Sequence, residues 1–255
     1  MVRFAANIST MFREWSFLDR LDAAAAAGFS LVECQFPYEV PAEKIAGRLR
    51  RNELTMVMFN TPRGDAAAGE FGLAAMSERL ADVKTSVRTA AAYAELLGVQ
   101  RIHLLGGRPP TSDARAAKAY RYAVAWSAEW LAQRSVGLLI EPLNPVDNPG
   151  YVLTDFSVAE HLITDLGFTN LRLQLDTYHV RMIGGAPTEY LKRYLPIIGH
   201  IQCSSIAGRG EPDGNDVDFL KGLDASGYSG AVGCEYTPRA GTLEGLGWMR
   251  DFRPP

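Results

Sequence analysis

The chain has 255 residues, of which 47% are hydrophobic, and this length is usual for one α/β barrel domain. Its formal net charge is −3, from 26 basic and 29 acidic side chains, and it contains no basic run. It therefore lacks the electrostatic footprint of a protein that binds nucleic acid or an anionic membrane, and we expect neither partner.

The cysteines indicate a reducing compartment. Cys34, Cys203 and Cys234 are odd in number, lack C-x-x-C spacing and lie in or beside apolar runs, which is typical of buried free thiols. Residues 1–8 contain no apolar stretch long enough for a signal peptide, and no segment approaches the roughly 18 apolar residues that a membrane helix needs. The sequence therefore predicts a cytoplasmic protein.

Short strand-like runs alternate with longer amphipathic segments along the whole chain, the pattern of βαβ units around a parallel sheet. Strands are predicted at residues 2–6, 31–36, 54–59, 101–105, 137–140, 171–175, 197–201 and 231–234. Helices are predicted at residues 17–27, 42–51, 77–97, 113–133, 156–166, 188–194 and 217–224, with Asp155 as a cap and Gly28, Gly98 and Gly167 as stop signals.

The number of strands favours a closed barrel. About eight strands are enough to close one, whereas an open dinucleotide-binding sheet would carry G-x-G-x-x-G after its first strand, and this chain does not. The sequence predicts one domain, residues 1–255, of the α/β class with the fold of a single (β/α)₈ TIM barrel.

Four predicted strand ends carry side chains that can ligate a hard cation, namely Glu141, Asp176, Gln202 and Glu235. In a barrel the carboxyl ends of the strands lie on one rim, so residues far apart in sequence can converge there. Three carboxylates and one amide form an all-oxygen shell, which suits one Mg²⁺ or Mn²⁺ better than Zn²⁺ or copper. Each acidic residue taken alone is better explained as a helix cap or a solvated strand end, the usual place of Asp and Glu at such junctions. Glu141 and Glu235, however, directly follow apolar runs, where an unpaired carboxylate is costly to bury.

Four further polar residues are candidates for binding a substrate. His179 lies three residues after Asp176, and His103 lies in a strand segment that points toward the same rim. Arg209, in a loop, has the planar guanidinium that binds a carboxylate bidentately, and Asn60, at the end of the third strand, can bond a substrate hydroxyl. For each of them a purely structural role remains open: a hydrogen-bonded histidine, a solvated charge or a turn-forming asparagine.

Four segments carry a family resemblance: FAANIS near the start, FNTPRGD after the third strand, QLDTYH, and the C-terminal GCEYTPRAGTLEGLGW. On these segments the chain resembles the hydroxypyruvate isomerase family, including the 2-oxo-tetronate isomerases, within the xylose-isomerase-like TIM barrels. The resemblance covers nearly the whole chain, and residues 233–248 are its most specific part.

The resemblance implies a metal-dependent isomerase of carbohydrate metabolism whose substrate is a small hydroxy-keto acid. Hydroxypyruvate, converted to tartronate semialdehyde, or a 2-oxo-tetronate would react by proton transfer through an enediolate. The resemblance also implies a homo-oligomer. The metal ligands it implies are Glu141, Asp176, Gln202 and Glu235, with Glu141 and Glu235 also acting as acid and base, while His179 and Arg209 contact substrate oxygens. Gly210 stands where relatives often carry a histidine after the arginine, which leaves the choice of substrate open.

Three other functions are compatible with the same barrel. A ketose or sugar 3-epimerase would use the same metal and glutamate pair, although related epimerases usually carry histidine in place of Gln202. An endonuclease acting at damaged DNA would need more histidines than the four present and a basic groove. A barrel that binds a ligand without catalysis is disfavoured by the intact set of predicted ligands.

Overall fold

The computed structural model describes residues 2–252 of the chain. Its strands are β1 (Arg3–Asn7), β2 (Leu31–Glu33), β3 (Thr55–Met56), β4 (Phe59–Asn60), β5 (Arg101–His103), β6 (Gly137–Ile140), β7 (Leu171–Asp176), β8 (Ile198–Cys203) and β9 (Ala231–Cys234). Its α-helices are α1 (Phe17–Ala26), α2 (Ala42–Arg51), α3 (Leu80–Leu97), α4 (Ala116–Ala132), α5 (Phe156–Leu166), α6 (Thr177–Met182), α7 (Pro187–Tyr194) and α8 (Gly214–Ser226). Two 3₁₀ segments cover Leu195–Ile197 and Glu244–Phe252.

The chain divides into two compact units, and the first comprises the residues up to Val57 together with those from Leu175 onward. Its strands lie in the order β3-β2-β1-β9-β8, and each of these pairings is parallel. Ala5, Ala6, Val32, Ile201 and Val232 on these strands are fully buried. Burial of successive residues, on both faces of the strands, is typical of a parallel sheet covered by helices.

The second unit runs from Met58 to Gln174. It pairs β4, β5, β6 and the first part of β7 in that order, again in parallel. Ile102, Leu138, Leu139 and Leu173 on these strands have no exposed surface. The predicted alternation of strands and helices therefore holds in each unit.

Two helices begin and end where the sequence predicts. Helix α2 buries Ile45, Ala46 and Leu49 on one face, and α5 starts at the predicted cap, where the Asp155 carboxylate accepts a hydrogen bond from the Ser157 backbone N–H at 2.7 Å. Such a cap contributes about 1 kcal/mol to helix stability. Helix α5 ends at Gly167, whose φ of 67° is left-handed and favours glycine.

Two differences from the prediction bear most on the sheet and the site. The predicted third strand, 54–59, is divided: Thr55–Met56 pairs with β2, and Phe59–Asn60 pairs with β5. Helix α6 was not among the predicted helices. It forms because the Asp176 carboxylate accepts a hydrogen bond from the Tyr178 backbone N–H at 2.9 Å and caps a helix directly at the strand end.

The prediction of one domain over residues 1–255 stays a prediction. Within the described part of the chain, no helix combines the length and the apolar composition that crossing a membrane requires.

Candidate active site

Three of the four predicted metal ligands lie at strand ends in the first unit. Asp176 is the last residue of β7, Gln202 is the penultimate residue of β8, and Glu235 directly follows β9. All three side chains are buried, with Asp176 completely so. Strands β8 and β9 are adjacent and in parallel register, with Gln202 opposite Gly233.

A single guanidinium nitrogen joins two of these side chains. Arg209 Nη2 donates to Asp176 Oδ2 at 2.7 Å and to Glu235 Oε2 at 2.6 Å. The guanidinium also lies over the Tyr178 ring, 4.7 Å from its centroid. A positive group thus lies between two buried carboxylates. The predicted role of Arg209, binding a substrate carboxylate, stays a prediction.

Burial controls the titration of both carboxylates. It raises the pKa of Asp176 above its ordinary value, and the Arg209 guanidinium only partly offsets this effect. Burial likewise raises the pKa of Glu235, where Arg209 lowers it and the carboxylates of Asp176 and Glu33 raise it further. A positive ion held between the two side chains would favour their charged forms.

His179 lies next to Asp176 on the helix that follows β7. It is buried, and its Nε2 is 3.8 Å from Asp176 Oδ2. Helix α6 begins at Thr177, directly after Asp176. His179 follows Asp176 by three residues, so the first helical turn brings the two side chains to the same side. Tyr178 packs edge-on against the histidine ring, with the ring centroids 5.4 Å apart.

Sequence reasoning missed the amides and the acid that surround Glu235. Its Oε1 accepts hydrogen bonds from Gln35 Nε2 at 2.9 Å and Asn7 Nδ2 at 3.3 Å. Asn7 also donates to Glu33, a carboxylate with no exposed surface. A polar residue at the end of a strand was the signal that could have identified them: Asn7 ends β1 and Glu33 ends β2. The predicted ligands were identified by the same kind of position.

The other predicted site residues lie together in the second unit. Glu141 follows β6, and its Oε2 accepts a hydrogen bond from Gln174 Nε2 at 3.0 Å and lies 3.7 Å from His103 Nδ1. His103 Nδ1 is also 3.1 Å from Asn60 Oδ1, which only accepts, so this nitrogen carries the proton. These four side chains are buried. Within its own unit, each group of predicted residues is clustered; that both groups serve one site stays a prediction.

The match to a family model establishes the class of fold. The family described as Xylose isomerase-like TIM barrel matches residues 21–252. The predicted (β/α)₈ fold is thereby confirmed.

Relatives that align over nearly the whole chain identify the family within this class of fold. A 2-oxo-tetronate isomerase from Cupriavidus necator is 42% identical over 99% of both chains, and a hydroxypyruvate isomerase from Escherichia coli is 38% identical over 99% of this chain and 100% of its own. A crystal structure of a Brucella melitensis protein, described as AP endonuclease, family 2, is 38% identical, covers 100% of both chains and has a TM-score of 0.96. The chain belongs to the hydroxypyruvate isomerase family, which includes the 2-oxo-tetronate isomerases, among the xylose isomerase-like TIM barrels. It is an isomerase, as the motif resemblance predicted.

Proposed function

We propose that the chain is a metal-dependent isomerase of a small hydroxy-keto acid, either hydroxypyruvate or a 2-oxo-tetronate. The observation that carries the proposal is the convergence of Asp176 and Glu235, both buried, on Arg209 Nη2 at 2.7 and 2.6 Å. The names of the relatives from Cupriavidus necator and Escherichia coli support the class of substrate.

The residues present fit a divalent metal ion. Asp176, Gln202 and Glu235 offer buried oxygen donors, a set that suits Mg²⁺ or Mn²⁺. Burial without a cation raises the pKa of both acids, so an ion would favour the charged forms that ligate it. His179 lies beside these ligands, with its Nε2 3.8 Å from Asp176 Oδ2. Glu141, which directly follows β6, is the fourth proposed ligand.

Two glutamates would move the protons. Isomerisation removes a proton from the carbon beside a carbonyl and returns one to the neighbouring carbon, through an enediolate. When bound, the metal ion would supply Lewis-acid stabilisation of negative charge on the substrate oxygens. We assign the proton transfers to Glu141 and Glu235, each of which is held by side-chain amides: Gln174 for the first and Gln35 for the second. Positioned acid-base groups of this kind accelerate a reaction by about 10²–10⁴-fold.

The remaining predicted residues would orient the substrate. Arg209 would leave the two carboxylates when the metal ion binds and hold the substrate carboxylate, for which its planar fork is suited. His179 would polarise a substrate oxygen. Asn60 and His103, hydrogen-bonded to each other at 3.1 Å, would bind a substrate hydroxyl.

A proton NMR time course in D₂O tests the proposed reaction. Metal-loaded protein is supplied with hydroxypyruvate and, separately, with a 2-oxo-tetronate. We expect the isomeric product, with solvent deuterium on the carbon that receives the proton. Epimerisation of a ketose, with the carbonyl left in place and neither acid converted, would assign the alternative 3-epimerase function instead.

Matched variants separate the proposed machinery from general effects of losing a carboxylate. Glu235→Gln is expected to lower turnover by at least about 10²-fold. Glu211→Gln is the control, because Glu211 lies in the same unit but contacts Arg239 rather than the predicted site residues. Equal turnover of the two variants would contradict the two-glutamate mechanism.

We also propose that the protein works as a homo-oligomer in the reducing cytoplasm. Cys34, Cys203 and Cys234 are free and buried, as predicted, and burial raises the pKa of each thiol so that all stay protonated. Native mass spectrometry measures the oligomeric state; a monomer at micromolar concentration would contradict that part of the proposal.

A further inference from the structure

Glu33, at the end of β2, is a buried acid with no role among the predicted site residues. Its side chain has no exposed surface. Three side-chain N–H groups donate to it: Gln202 Nε2 at 2.7 Å and Asn7 Nδ2 at 3.0 Å to Oε1, and His200 Nε2 at 2.7 Å to Oε2. Gly233, opposite Gln202 on β9, leaves the space that the carboxylate occupies, since a Cβ at this position would collide with it.

The chemistry of these contacts fixes the orientation of two amides. The NH₂ groups of Gln202 and Asn7 both face Glu33 and donate to its Oε1. The carbonyl oxygen of Gln202 is then directed away from Glu33. Asn7 Nδ2 also donates to Glu235 Oε1 at 3.3 Å, so one amide ties Glu33 to a predicted metal ligand.

We propose that Glu33 is a positioning residue that locks Gln202 with its oxygen available as a metal ligand; this inference rests on the proposed metal site. A carboxylate ligand needs no such lock, because its two oxygens are equivalent. An amide does, because turning it over would present NH₂ to the cation and a carbonyl oxygen to Glu33, and both contacts are repulsive. His200 donates a hydrogen bond to the second oxygen of Glu33, so both oxygens are held and the carboxylate plane is fixed.

The inference predicts a coupling between Glu33 and Gln202 in metal affinity. In Glu33→Gln the new side chain offers an NH₂ group, so Gln202 can turn over and direct its own NH₂ toward the ion. We expect Mn²⁺ affinity to fall by about 10–100-fold, the usual effect of losing an outer-shell partner. In the Gln202→Glu variant we expect the same Glu33→Gln change to leave Mn²⁺ affinity unchanged. The carboxylate introduced at position 202 can accept a hydrogen bond from the new amide with one oxygen and bind the ion with the other.

The experiment is a double-mutant cycle of Mn²⁺ dissociation constants, measured by titration with electron paramagnetic resonance. Asp216→Asn is the matched control, since it neutralises another buried acid in the same unit that contacts Arg181; we expect it to leave Mn²⁺ affinity unchanged. If Glu33→Gln does not fold, Glu33→Asp completes the same cycle, because a shortened side chain also releases the amide of Gln202.

The possible results separate the two levels of the proposal. If wild-type protein binds Mn²⁺ and Glu33→Gln binds it equally well, the positioning role is overturned while the metal site stands. If Glu33→Gln lowers Mn²⁺ affinity equally in the wild-type protein and in the Gln202→Glu variant, the role of Glu33 is purely structural. That result would also overturn the inference. If wild-type protein binds no Mn²⁺, the proposed metal site fails, and the role of Glu33 fails with it.

Discussion

Replacing Arg209 by methionine removes the positive group that Asp176 and Glu235 share. Both carboxylates accept hydrogen bonds from Arg209 Nη2, and both are buried. Methionine keeps the apolar stem but offers no donor. We therefore expect Arg209→Met to be destabilising when metal is absent and nearly neutral when a divalent ion is present.

The size of the effect follows from the burial of the pair. Removing one partner of a fully buried ion pair costs about 3–5 kcal/mol, and hydrogen bonds to charged groups contribute about 1.5–3 kcal/mol. The Arg209 side chain is 30% exposed, so its loss is screened, and we expect about 2 kcal/mol. With Mn²⁺ bound the ion neutralises the same carboxylates, and the loss falls below about 1 kcal/mol. By linkage, the variant binds Mn²⁺ roughly tenfold more tightly, since about 1.4 kcal/mol corresponds to a factor of ten.

Urea unfolding in EDTA and in saturating Mn²⁺ measures both quantities, together with calorimetric titration of the folded protein. Arg181→Met is the control: Arg181 Nη1 is 2.9 Å from Asp216 Oδ1, in a different ion pair of the same unit, so its loss is expected to be the same with and without metal. If Arg209→Met behaves like this control and its Mn²⁺ affinity is unchanged, Arg209 does not occupy the place of a cation.

Three further predictions concern single substitutions. Glu141→Gln is expected to lower turnover in the NMR assay by at least about 10²-fold, and near wild-type turnover with normal metal content would exclude it from proton transfer. Gly233→Ala is expected to cost about 1–3 kcal/mol in urea unfolding, because the new methyl group collides with the Glu33 carboxylate; an unchanged midpoint would contradict that packing. Burial raises the pKa of Asp216 to about 6 from the ordinary 3.8, so the folded state binds its proton more tightly than the unfolded chain does. This residue's contribution to the unfolding free energy therefore falls by about 3 kcal/mol as the pH rises from about 4 through about 6, and Asp216→Asn removes the slope. Urea unfolding in EDTA at both ends of this window tests it, and a constant difference between wild type and variant would contradict it.

The sequence predicted the fold well where local signals agree with packing. Helix α5 has a capping aspartate at Asp155, an apolar face and a terminal Gly167, and its bounds were predicted to the residue. The third strand could not be predicted in its divided form, because the apolar run 54–59 carries no signal that its two ends pair with different strands.

Prediction of the site depended on where a strand ends. Glu141, Asp176, Gln202 and Glu235 were predicted because each directly follows a predicted strand. Glu33 was missed because the predicted strand 31–36 runs past it, whereas β2 ends at that residue. The hydrogen bonds that join Glu33 to Gln202 and His200 link residues more than 160 positions apart, and no local pattern encodes them.

Titration of metal-stripped protein with Mn²⁺, followed by bound metal and by conversion of hydroxypyruvate or a 2-oxo-tetronate, tests the central claim most directly. We predict one ion per chain, with activity returning in proportion to bound metal, and loss of both in Asp176→Asn. Full activity of the metal-stripped protein in excess chelator would contradict a metal-dependent isomerase.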